Sequence, residues 1–337
     1  TSMAAFRALE AEGINIQDAN FVAGHSLGEY TALCAVNAFS LTDTAKLLRL
    51  RGIAMQDAVP IGVGGMAALL GSDIETAQKL AEEAAGGQVC EIANDNDPSQ
   101  VVLSGHAEAI NRVIDMAKDH GVKRAIKIAV SAPFHCSLMK PAAQRMKIAL
   151  DNTSPSAMDL PLYANVTAAK VSDSAEEQKL LVEQITGRVR WRESVLAMRA
   201  DGVEHFVELG GKVLGPMVSR TDKDAKVTSA ITMEDLEAAV DEEIAELISG
   251  GVTEEEVARA KQRMQSSAIY ARDSAVGGAR ALGSALASGQ TIADVENWPE
   301  RIGAVTRSQI NDAVRSVFKD KSSVTGLLLP DTKTEGN

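Results

Sequence analysis

At residues 24–28 the chain reads GHSLG, with the apolar run NFVA before it and the helix-like stretch LGEYTALCAVNAF overlapping its end. A serine between two glycines, where a strand ends and a helix begins, is the G-x-S-x-G turn that lifts a hydroxyl out of the carboxyl edge of a parallel sheet. The backbone bends so sharply there that a side chain at Gly24 or Gly28 is expected to collide with the neighbouring strand and helix. The helix behind Ser26 points unbonded N–H groups at any oxyanion formed nearby. Such a turn confines the chain to α/β architectures with short strand-to-helix connections.

The surrounding pattern agrees. A helix is already under way at TSMAAFRALEAEGI, and a second helix follows the serine turn at TDTAKLLRLRGIAMQDA. The run VPIGVGGM breaks the alternation. Residues 62–130 then read strand, helix, strand, strand, helix, strand (MAALLG, DIETAQKLAEEAAGG, QVCEIAND, QVVLSG, HAEAINRVIDMAKDHG, RAIKIAV). That βαββαβ order predicts a ferredoxin-like subdomain, inserted into a parallel-sheet α/β domain of residues 1–61 and 131–235. The larger domain resumes through SAPFHCSLMKPAAQRM, the strand LPLYANVT, a helix near 175–186, the strand HFVELG and the segment KVLGPMV. From residue 236 to 337 the character is mainly helical, an α+β fragment. Leu236, Val240, Ile244, Leu247 and Ile248 form an apolar stripe, and Thr253, Thr291 and Thr306 open helices as caps with Glu256, Asp294 and Gln309. SSVTGLLLP is its one strand-like run, and no Gly/Ser/Pro linker marks the seam.

The 337 residues offer five histidines as partners for Ser26. His25, adjacent on a tight turn, points away and reads as a packing residue. His106 and His120 flank a subdomain helix and read as solvent-facing, and His205 sits before a strand. His135, at a strand-to-helix junction in SAPFHCSLM, is the best-placed base left. Arg51 lies among Leu47, Leu48, Ile53 and Met55 and is expected to turn inward. A buried guanidinium requires an anion, either an internal Asp or Glu or a substrate carboxylate. The net charge of −12, spread along both halves, excludes a general nucleic-acid binder. Cys34, Cys90 and Cys136 show no paired spacing, so neither a disulfide framework nor a zinc ribbon is expected, and reduced thiols suit the cytoplasm. No apolar run is long enough to span a membrane.

The motifs GHSLGEYTAL, RGIAMQDAVPIGVGGMAALLG, NDNDPSQVVLSG, APFHCSLMKPAA, YANVT, VEQITGRVRW and FVELGGKVLGPMV, in that order, resemble the bacterial malonyl-CoA:acyl carrier protein transacylases over residues 1 to about 235. The resemblance implies an α/β-hydrolase-like acyltransferase fold and a malonyl-transfer activity in fatty acid biosynthesis. It makes Ser26 the nucleophile that is malonylated, His135 the base and later acid, and Arg51 the clamp on the malonyl carboxylate. Gln184 would orient His135 through its backbone carbonyl, the Leu27 N–H would be one oxyanion donor, and Phe134 would favour malonyl. The substrates implied are malonyl-CoA and the phosphopantetheine thiol of holo acyl carrier protein, with no cofactor or metal. Arg188, Arg190, Arg192, Lys123 and Arg124 are candidates for docking that acidic partner.

Two departures accompany the resemblance. The family opens with a strand and a G-Q-G-S-Q loop that supplies a second oxyanion N–H, and this sequence starts downstream of both; loss of one such donor is worth about 2.7–4 kcal/mol. Residues 240–330 resemble the C-terminal end of pitrilysin-type zinc peptidases. Zinc there requires H-x-x-E-H, and residues 206–337 hold neither histidine nor cysteine. A serine thioesterase or other hydrolase is the rival enzymatic reading, though no acid presents itself to orient the histidine. A non-catalytic, peptidase-like interaction protein is the third.

Overall fold

The computed structural model describes residues 1–318 apart from 12, 273–281, 284 and 288. Contacts divide the chain between Leu236 and Glu237, one residue beyond the seam expected from composition and inside the helix α10, Met233–Gly250.

In the first unit, α1 (Ser2–Ala11), β1 (Val22–Ala23), α2 (Leu27–Ala35) and α3 (Leu41–Asp57) precede the inserted strands. Along α3 the buried positions Leu47, Arg51, Ala54 and Met55 recur at helical spacing, so the stripe that enters the core carries Arg51 with it. Tyr30 and Leu33 of α2 meet that stripe. Met146 and Leu150 of α6 (Lys140–Asp151), Leu162 of β6 (Leu162–Ala164) and Leu181 of α7 (Ser174–Gln184) complete one aliphatic core.

The expected single parallel sheet is divided. β1 pairs in parallel with β6, which pairs antiparallel with β7 (Ala169–Val171), while β8 (His205–Leu209) and β9 (Lys226–Ala230) form a separate parallel pair. Among the described residues no strand hydrogen-bonds β1 to β8. Side chains join them instead: Phe21, Ala23 and Tyr163 share a cluster with Phe206, Val227 and Trp191 of α8 (Trp191–Ala200).

Between α3 and α6 the chain runs β2 (Gly64–Leu70), α4 (Ile74–Ala85), β3 (Cys90–Asp97), β4 (Gln100–His106), α5 (Ala107–Met116) and β5 (Arg124–Lys127). The sheet is antiparallel in the order β3-β4-β2-β5. Alternation assigns Leu69 and Leu103 to the face covered by Leu80, Ile110 and Val113 of the two helices, and Met66, Ala68 and Val102 to the other. Polar residues at the end of β3 fasten this sheet to the larger part. Asp95 takes a bidentate contact from Arg192 at 2.8–3.1 Å, Asp97 takes Arg220 of α9 (Leu214–Thr221) at 2.8 Å, and Asn96 meets His25 at 2.9 Å. Backbone bonds between Val189 and both Ala93 and Asp95 extend the joint.

In the second unit, α11 (Glu254–Arg272) receives α13 (Trp298–Ala304), with Gln265 Nε2 donating to Pro299 O at 2.9 Å and Lys261 Nζ to Gly303 O at 3.0 Å. Thr253, Thr291 and Thr306 cap α11, α12 (Ile292–Glu296) and α14 (Arg307–Val317) with the three partners expected. The run SSVTGLLLP and the side chains of Leu236 and Val240 lie outside what is described. Among the described residues no helix is long and apolar enough to cross a membrane.

Asp95 is 1% exposed and Arg192 about a quarter. Asp95→Ala is expected to cost roughly 3 kcal/mol, the low end for a broken buried pair because Arg192 keeps access to water. Urea denaturation checks this; an unchanged midpoint would show that the pair does not hold the joint.

Candidate active site

Ser26 caps α2 with φ 52° and ψ −107°, a backbone shape that only the surrounding structure can hold. Gly24 permits the turn, since a Cβ there would lie 2.0 Å from the backbone carbonyl of Gly28. Gly28 departs from the expectation: a Cβ on it meets nothing within 4 Å, so its own side-chain space is open. The turn is tied down by a residue the sequence reading left without a role. Asn165, just past β6, accepts the Ser26 N–H through Oδ1 at 2.7 Å and donates from Nδ2 to Gly24 O at 2.7 Å. A buried amide at a strand end, in YANVT, was the available signal.

Residues distant in the chain converge on the hydroxyl. Ser26 Oγ lies 2.7 Å from His135 Nε2. His135 Nδ1 lies 2.8 Å from the carbonyl oxygen of Gln184, the last residue of α7. That carbonyl is one of those a helix C-terminus leaves unbonded; it accepts Nδ1–H and so fixes the tautomer that turns the Nε2 lone pair to the serine. His135 has φ 57°, a second non-glycine in the left-handed region. Arg51 Nη2 donates to Ser26 Oγ at 2.9 Å and to Gln184 Oε1 at 3.0 Å, and its guanidinium lies 5.8 Å from the Tyr30 ring centre. Arg51 makes no ion pair among the described residues, and its Nε has no hydrogen-bond partner there. The internal Asp or Glu weighed for it is therefore not in direct contact. Leu27 opens α2, where its N–H has no carbonyl one turn back. Phe134 packs between the main core and the open face of the inserted sheet.

Burial, followed by the charge of Arg51, pulls His135 from 6.5 down to about 3. The imidazole is therefore neutral and able to accept a proton across the neutral range. Burial likewise lowers Arg51.

Other expectations are corrected by contacts that residue type did not show. Arg188 and Arg190 pair with Glu193, and Arg192 is taken by Asp95, so these three partly exposed side chains already carry internal ion pairs. His106 and His120 are half-buried: His106 Nδ1 accepts the Val89 N–H at 2.9 Å, and His120 lies 3.0 Å from Glu83. His25 packs edge-on to Trp191 and away from Ser26 chemistry, and His205 meets Thr228 at 2.8 Å.

A hydroxyl shared between a neutral imidazole and a guanidinium, beside a helix N-terminus, can be acylated by an activated carbonyl. A family model described as the acyl transferase domain matches residues 1–273. The chain belongs to this acyl transferase family. The match runs past residue 235, where the motifs end. The malonyl CoA-acyl carrier protein transacylase of Bacillus subtilis is 39% identical over 242 residues, 71% of this chain and 75% of that protein. The protein of the same name from Salmonella typhimurium is 44% identical over 200 residues, 59% of this chain and 65% of that one. The crystal structure of the acyl-carrier-protein-S-malonyltransferase from Bartonella henselae superimposes with a TM-score of 0.69 at 49% identity, covering 71% of this acyl transferase and 77% of that chain.

Two outcomes follow. Gly24→Ala is expected to abolish the fold of the turn and all labelling of Ser26 by a fluorophosphonate, whereas Gly28→Ala keeps the melting temperature; circular dichroism and labelling separate them. For the wild type, the depressed His135 predicts labelling that stays level from pH 7 to pH 5. An imidazole at its ordinary value would lose about 25-fold over that interval, and a loss of that size contradicts the reading.

Proposed function

We propose that this chain moves a malonyl group from malonyl-CoA to the phosphopantetheine thiol of holo acyl carrier protein through a malonyl ester on Ser26, a step of fatty acid biosynthesis. One observation carries the choice of acyl group. Arg51 is 7% exposed, touches Ser26 Oγ at 2.9 Å and has no carboxylate in contact among the described residues. A malonyl carboxylate is one methylene from the acylated carbon, so it falls within reach of that guanidinium once the ester forms. The names of the relatives agree.

Ser26 Oγ attacks the thioester carbonyl as His135 Nε2 takes its proton, and the Leu27 N–H faces the oxyanion. The C–S bond then breaks, His135 returns the proton to the CoA sulfur, and Ser26 is left as the malonyl ester. The carrier thiol attacks this ester, passing its proton through His135 back to Ser26. Pairing of Arg51 with the malonyl carboxylate offsets one of the charges that depress His135, which favours the base when this substrate is bound. A hydrolase would place an acid against Nδ1; here the acceptor is the Gln184 carbonyl, which supports transfer over the thioesterase reading.

Residues 62–130 read as a ferredoxin-like subdomain, supported by the strand order β3-β4-β2-β5 with two helices on one face. Of residues 236–337, the part to residue 273 falls within the acyl transferase match, and the fragment reads as a piece without metal-dependent peptidase chemistry, supported by its lack of histidine and cysteine. Of the five basic candidates for the carrier protein, Lys123 and Arg124 remain exposed and uncommitted among the described residues. Three unpaired cysteines suit a cytoplasmic setting.

Arg51→Ala is expected to lower kcat/KM for malonyl-CoA by about 2–5 kcal/mol of transition-state binding, while loading from acetyl-CoA changes little. Stopped-flow loading of both thioesters decides; equal losses for the two would remove Arg51 from acyl recognition.

A further inference from the structure

Two carboxyls lie behind the site and take no part in bond making. Glu29 of α2 and Glu177 of α7 are both fully buried. Glu177 stands two turns before Gln184 on the same helix face, so Glu29 meets both residues. Gln184 Nε2 donates to Glu29 Oε2 at 2.6 Å and to Ser26 O at 3.0 Å, and the Asn165 N–H reaches both Glu29 oxygens at 3.3 Å.

We propose, on the acyl-transfer reading above, that Glu29 is a positioning residue for both halves of the site, with Glu177 behind it as a neutral acid donating a hydrogen bond. The argument is one of directed valence. A glutamine amide has one end that donates and one that accepts. Glu29 as a carboxylate can only accept, so together with the Ser26 carbonyl it holds Nε2 on its own side and leaves Oε1 facing Arg51 Nη2 at 3.0 Å. The residue whose side chain is locked in this way is the one whose carbonyl orients His135. Glu29 thus links the base and the substrate clamp through one residue, Gln184, whose side-chain amide meets Glu29 and Arg51 and whose backbone carbonyl meets His135, and it supplies a negative charge near Arg51 without touching it.

Glu177 completes the arrangement. Its two oxygens reach no donor among the described residues if it is ionised. With a proton it gains a donor to offer to Glu29, the carboxyl whose charge acts on it most strongly. Burial raises both carboxyls, and the Glu29 charge raises Glu177 further, while hydrogen bonds from Gln184 and Asn165 and the Arg51 charge act to keep Glu29 ionised, so the proton of the pair sits on Glu177.

The test uses the full chain and two readouts: stopped-flow loading of malonyl against acetyl from the CoA thioesters, and Ser26 labelling by a fluorophosphonate. Glu29→Gln removes one of the two acceptors that Nε2 of Gln184 meets, leaving the Ser26 carbonyl, and so loosens the Gln184 side chain against Arg51. It is expected to slow labelling about a hundredfold, as for a misplaced catalytic group, and to cut the malonyl-to-acetyl ratio about tenfold. Glu177→Gln keeps a donor towards Glu29 and is expected to match the wild type within about threefold, whereas Glu177→Leu follows Glu29→Gln. A merely structural role would lower the active fraction and leave the ratio and the per-site rates unchanged; that result, or Glu177→Gln as damaging as Glu177→Leu, overturns the proposal. Should Glu29→Gln not fold, the Glu177 pair decides alone. If the wild type takes the fluorophosphonate but no malonyl group, the functional reading fails while the labelling rates still judge Glu29.

Discussion

Everything at this site depends on holding the Ser26 backbone in a conformation that a serine does not adopt freely. A non-glycine residue in such a region costs about 1–3 kcal/mol, and His135 carries a second such cost. The compensation is local and countable. Asn165 closes the turn from both sides, Gln184 Nε2 holds the Ser26 carbonyl, and Gly24 leaves room for the Gly28 backbone. Each tether comes from a different stretch of chain, so the hydroxyl is placed only once the larger domain has closed around it.

Charge is arranged with the same economy of groups. A buried guanidinium and a buried carboxylate meet the side-chain amide of Gln184 and a neutral imidazole meets its backbone carbonyl, and burial sharpens every interaction among them. Arg51 is held by neutral acceptors, Ser26 Oγ and Gln184 Oε1, with its counter-charge one residue removed on Glu29. The guanidinium is thereby kept in place while its outer valence is left for an anionic ligand. Recognition of a carboxylate and activation of the hydroxyl are consequently properties of one hydrogen-bonded network.

Much of this was legible in the sequence because it is local. GHSLG announced the turn, the βαββαβ order announced the inserted sheet, and the three threonine caps were readable from residues three apart. What escaped depends on partners far along the chain. Glu29 drew no role from the sequence, yet in α2 it is buried together with Tyr30, Ala32, Leu33 and Cys34. Arg188, Arg190 and Arg192 read as a basic patch until Glu193 and Asp95 are found against them. β7 and β9 are too short or too polar to carry a clear alternation, and were missed. Gly28 shows that a motif position can lack the steric reason assumed for it. The elbow motif named the serine; only the fold named Asn165 and Glu29.

The most direct measurement is peptide mapping by mass spectrometry after brief exposure of the chain to malonyl-CoA. A malonyl ester confined to the peptide bearing Ser26, absent from Ser26→Ala and discharged onto holo acyl carrier protein, is the result this account requires. An adduct on any other side chain, or an ester lost only as free malonate when the carrier protein is added, contradicts it.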